Sequence, residues 1–158
     1  MCREETWVSV LSADSPGILP SPVLESDGKL DASQARIIVC TLCRDPATGI
    51  RSGEDLCADL RARLAAHDAP ALGYAVEGIA CMAGCERPLT VAFQADGKAS
   101  YLFGSIDAQS DAGHLVEFAR LYHSLADGWC SSGQRPVGLA GKTLARIPGS
   151  ANRAETGS

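Results

Sequence analysis

The sequence predicts a small mixed α/β fold with elements in the order β-α-β-β-β-α. Three observations carry that prediction: a β-branched run that stops at a cysteine, two amphipathic helical stripes, and two short apolar runs joined by an Asp-Gly turn. At 158 residues and 46% hydrophobic, the chain is long enough for one core and too short for two of ordinary size.

Taken in order, residues 1–35 carry Pro16, Pro20 and Pro22 among scattered Ser, Asp and Gly. They show no period and read as an irregular N-terminal arm, in which Trp7, Val8 and Val10 form a candidate docked strand. Arg36 to Cys40 is a β-branched run ended by the Thr41, Leu42, Cys43 turn, which suits a buried strand. Ser52 with Asp55 makes a capping signature, and Leu56, Leu60 and Leu64 follow at spacing four. Pro70 stops that helix after about four turns. Gly73 to Ile79 reads as a second strand, Cys81 to Arg87 as a loop, and Leu89 to Phe93 with Ala99 to Phe103 as an antiparallel hairpin turning at Asp96 and Gly97. From Asp111 to Ala126 the residues Leu115, Phe118, Ala119, Tyr122 and Leu125 fall on one stripe, closed by Asp127 and Gly128. The domain therefore spans residues 36–128, and residues 129–158, with Pro136, Pro148 and several Gly, read as an irregular C-terminal tail.

A helix between the first two strands makes them parallel, and the hairpin extends the sheet in antiparallel fashion, with helices packed on its faces. The loops after both parallel strands then emerge at one sheet edge. Those loops carry Cys40-x2-Cys43 and Cys81-x3-Cys85.

The chain holds seven cysteines. No run is long and apolar enough to span a membrane, and the N-terminus lacks the build of a signal peptide, so a cytoplasmic protein without structural disulfides is expected. Four convergent thiolates suit Zn²⁺ or an iron-sulfur centre, because soft sulfur ligands select these over Mg²⁺ or Ca²⁺. Spacing alone leaves that choice open. Cys57 sits at helical spacing with Leu60 and Leu64 and is expected in the core. Cys2 and Cys130 are expected as free surface thiols, and His67, His114 and His123 as solvated helix residues.

The net charge of -5 is concentrated before Gln134. An acidic body argues against nucleic acid as a partner. No Gly-rich phosphate loop, paired carboxylates or nucleophile-base set stands out, so the chain is not expected to be an enzyme.

The stretch VCTLCR (Val39 to Arg44), the loop CMAGCERPLTV (Cys81 to Val91) and the hairpin FQADGKASYLFG (Phe93 to Gly104) resemble the thioredoxin-like [2Fe-2S] ferredoxins. That group includes the ferredoxin-like small subunit of respiratory NADH dehydrogenases. The same stretches look still closer to an uncharacterised bacterial family of predicted metal-binding proteins. The resemblance implies a thioredoxin-like fold and a [2Fe-2S] cluster on Cys40, Cys43, Cys81 and Cys85. It also implies electron exchange with a redox partner protein, and a homodimer as a candidate assembly. The first cysteine pair is tighter than those ferredoxins use, which keeps zinc, in a structural or metal-carrier role, as the alternative cofactor. Pro88 resembles the proline facing the redox site in thioredoxins, where it is cis, and makes Arg87-Pro88 a candidate cis bond. With that proline opposite, Cys40 and Cys43 could also serve a thiol-disulfide oxidoreductase, although some eight residues separate them from the helix start at Ser52.

Overall fold

Apolar side chains alternating along four short strands build one five-stranded sheet, ordered β2-β1-β3-β4-β5. The structure is a computed structural model that describes residues 35–66 and 72–150. The strands are β1 (Arg36–Cys40), β2 (Ala75–Ile79), β3 (Val91–Gln94), β4 (Ser100–Phe103) and β5 (Thr143–Ile147), with helices α1 (Gly53–Ala66) and α2 (Ala112–Ser124). The chain therefore follows the expected β-α-β-β-β-α order and adds a final strand. β1 runs parallel to β2 and antiparallel to β3. The readings for residues 1–34, for His67 and Pro70, and for the end of the tail lie outside the described residues.

Ile37 pairs with Val76 and Phe93, and Phe93 with Tyr101, so these side chains share one face. Val39, Val91 and Phe103 continue it, and all but Val76 and Tyr101 are fully buried. α1 and α2 pack side by side on this face. α1 buries Leu56, Cys57, Leu60 and Leu64, as its spacing predicts, and α2 buries Leu115, Phe118, Ala119 and Tyr122. Phe93 sits edge-on to Tyr74, Phe103, Phe118 and Tyr122, with centroid distances from 4.8 to 6.4 Å. The hairpin is tied to the C-terminus of α2 by Lys98, whose Nζ donates to the carbonyls of Tyr122 and His123 at 2.9 Å each. A cation there also complements the helix dipole.

The expectation of an irregular tail after Gly128 needs correction. Residues 143–147 pair antiparallel with β4. Thr-Leu-Ala-Arg-Ile carries no apolar-polar alternation, and four of its five residues are half-buried, so no period marks it. The strand exists because β4 offers it an edge, which is a tertiary and not a local cause.

Asp111 fixes this addition. The residue is 4% exposed, and its carboxylate accepts the Asp107 N–H at 2.7 Å and pairs with Lys142, just ahead of β5. Asp111→Ala leaves that amide without its acceptor and is expected to cost about 2 kcal/mol. Chemical denaturation monitored by circular dichroism measures it, and an unchanged midpoint would remove Asp111 from this role.

Candidate metal centre

β1 and β2 end side by side, with Cys40 opposite Ile79, and each strand releases its cysteine pair at this edge. The Thr41 N–H donates to the Ile79 carbonyl at 2.8 Å, which binds the two loop starts together. The Cys40 thiol donates across to the Ala80 carbonyl at 3.6 Å.

The pairs differ in exposure. Cys40 and Cys43 are 2% and 8% exposed, whereas Cys81 and Cys85 are exposed. Within each pair one sulfur acts on the titration of the other. Burial pushes the Cys40 thiol up, but hydrogen bonds from Cys43 and from the N–H groups of Leu42, Cys43 and Met82 outweigh it and hold Cys40 below the ordinary cysteine range. Burial, and then the bond to Cys40, push Cys43 up. The bond to Cys81 and its like charge raise Cys85, on which the Cys40 charge also acts. As they stand, the sulfurs form two pairs and not one four-fold group, and no three His, Cys, Asp or Glu side chains among the described residues make a metal cage.

The second loop is shaped to bring backbone donors to sulfur. Ala83 takes φ 58°, and its N–H donates to Cys81 Sγ at 3.3 Å. Gly84 lies flat on Thr90, where an added Cβ would come within 2.3 Å of the threonine methyl. Arg87 anchors the loop's far end, donating to Ser105 Oγ at 3.2 Å and to the Gly141 carbonyl at 3.0 Å. The single cis peptide bond among the described residues is Pro88-Leu89, one position after the candidate Arg87-Pro88.

Residues 37–149 match the family described as protein of unknown function (DUF1636). The chain belongs to that family. No curated protein matches this DUF1636 chain. Among solved structures, the thioredoxin-like [2Fe-2S] ferredoxin from Aquifex aeolicus is similar to it at 17% identity and TM-score 0.48, covering 72% of this chain and 93% of that one. The 1.5 Å wild-type structure of that ferredoxin aligns at 14% identity and TM-score 0.47, with 72% and 98% covered. At these values the likeness carries no functional argument.

The donor set of the DUF1636 chain fits a thiophilic metal or an iron-sulfur group. It offers four sulfurs and a backbone N–H, that of Ala83, donated to Cys81 Sγ. Among the described residues two further thiols, Cys57 and Cys130, lie in the core. Cys57 is buried at 3%, as its helical position predicts. Cys130 is not a surface thiol: it is 1% exposed, and its sulfur lies 3.4 Å from the Tyr101 hydroxyl. His114 pairs with Glu117 at 3.2 Å, and His123 is exposed. A cleft of about 280 Å³ opens beside Cys43, bordered by Asp45, Thr48, Leu89 and Asp107.

Sequence reasoning missed Thr90, whose side chain touches both halves of the centre. Its place in the sequence, directly after Pro88-Leu89 at the head of a strand that pairs with β1, was the available signal.

Proposed function

We propose that this chain is a cytoplasmic electron carrier, not an enzyme, in which Cys40, Cys43, Cys81 and Cys85 hold a [2Fe-2S] cluster. One observation supports this reading above the others: two cysteine pairs nearly forty residues apart follow the ends of adjacent parallel strands, with the Ala83 N–H directed at Cys81 Sγ. A [2Fe-2S] group supplies a one-electron couple when bound. The chain's part is to supply thiolate charge, to donate N–H groups to sulfur, and to wall off one side with the core. The exposed side, flanked by Leu42 and Ile79 at 48% and 46% exposure, would face a redox partner protein, and the net charge of -5 favours a basic one.

The test is iron and acid-labile sulfide analysis with a visible spectrum on anaerobically purified protein and on Cys81→Ser. About two irons and two sulfides per chain, lost in the variant, are expected. Zinc without sulfide would replace the reading by a structural or carrier zinc site, and neither metal nor sulfide would remove both.

A second reading, thiol-disulfide exchange at Cys40 and Cys43, draws on one feature. The loop after Cys43 returns so that the first residue of α1, Gly53, packs on Cys40, where an added Cβ would lie 2.3 Å from the Cys40 carbonyl oxygen. The helix start is therefore near this pair in space despite its distance in sequence. Burial ranks the reading lower, because attack on a partner disulfide needs an accessible thiolate and Cys40 is 2% exposed.

A further inference from the structure

Among the described residues, apart from tyrosines and cysteines, the buried polar side chains are Thr90 and Asp111. Lys142 and the Asp107 amide account for Asp111. Thr90 is 0% exposed, and valine has the same shape without an oxygen to satisfy. Burying a hydroxyl costs free energy unless something bonds it. The partner that Thr90 Oγ1 has is sulfur: Cys43 Sγ lies 3.8 Å away.

The other two parts of Thr90 are engaged as well. Its carbonyl accepts the Cys40 N–H at 3.0 Å. Its methyl is the surface against which Gly84, between Cys81 and Cys85, is packed. One residue thus holds the backbone of the first cysteine, faces the sulfur of the second, and props the loop that carries the other two.

We infer that Thr90 is a positioning residue of the metal centre. Its hydroxyl donates to the Cys43 thiolate when that sulfur is a ligand, and its methyl sets the height of the Cys81–Cys85 loop. This rests on the metal-binding reading above and adds to it the group that aligns the two cysteine pairs. A hydroxyl donated to a ligating thiolate draws electron density from sulfur and fixes the direction of its lone pairs. Such outer groups commonly change metal affinity by about 10-fold to 100-fold.

The experiment uses the full chain, reduced and metal-free, with Co²⁺ as the probe, because thiolate-to-cobalt charge-transfer bands report sulfur ligation directly. Thr90→Val keeps the methyl surface and removes the hydroxyl. Its thermal melt is expected to stay near the wild type, while Co²⁺ affinity falls about 10-fold and the charge-transfer band shifts. Thr90→Ser and Thr90→Ala form an independent pair, both without the methyl and differing only in the hydroxyl. Both lose the methyl under the loop, so both are expected to bind more weakly than the wild type, with serine keeping the charge-transfer band nearer the wild-type position than alanine, a contrast that holds even if valine unfolds the protein. Wild-type affinity and band position in Thr90→Val, or identical spectra for serine and alanine, would overturn the inference and leave the metal reading standing. Absence of thiolate-to-cobalt bands in the wild type would overturn the inference for a single-metal site, while the iron and sulfide analysis above decides the cluster reading separately.

Discussion

Gly84→Ala is expected to weaken Co²⁺ binding by about 100-fold, at the upper end of the effects of outer groups of metal sites. The added Cβ would stand 2.3 Å from Thr90 Cγ2 and 3.4 Å from Leu144 Cδ1. Thr90 has little room to yield, because it is fully buried and its backbone is bonded to Cys40. The loop must then lift, and it carries Cys81 and Cys85 away from Cys40 and Cys43. Overpacking of this kind costs about 1–3 kcal/mol of stability as well. Cobalt titration and a thermal melt measure the two losses separately. Thr90→Ser removes the clashing methyl, so the double variant Gly84→Ala/Thr90→Ser should recover most of the binding, a non-additivity expected only of residues in contact. Wild-type cobalt affinity in Gly84→Ala would show that the loop's height does not matter to the centre.

The second large effect lies in the core. Phe93→Ala should destabilise the fold by about 3–5 kcal/mol. Phe93 is fully buried, and its ring meets Tyr74, Phe103, Phe118 and Tyr122 edge-on. Truncation therefore opens a cavity between the central strands and α2 and removes four aromatic contacts at once. Urea denaturation of the reduced protein gives the loss directly. A cost below about 1 kcal/mol would mean that the surrounding rings collapse into the space.

Much of this architecture was legible because period and position agreed. Ile37, Val39, Leu56, Leu60 and Leu64 are buried where their spacing placed them, and the helix between β1 and β2 made those strands parallel, as observed. That parallel pairing is also why two distant cysteine motifs could be placed at one edge from the sequence. The failures had non-local causes. β5 lacks alternation and forms only because β4 presents an edge to it. Cys130 looked like a tail thiol, but the return of the chain toward β5 seals it against Tyr101. Neither Thr90 nor the contact of Gly53 with Cys40 follows from spacing, since both depend on how loops close in space.

The uneven exposure of the four thiols has a practical consequence for handling. Oxygen reaches Cys81 and Cys85, which are exposed and four residues apart in one loop, before it reaches the core-facing pair. Two-electron oxidation would join them into a disulfide and release two protons. Half of the donor set would be lost in this way, while a core built on Phe93, Phe103 and Phe118 stays intact. A sample purified in air would then melt like native protein and still carry no iron. Anaerobic preparation, or reduction of the thiols before any metal is offered, separates that outcome from a chain that never bound one.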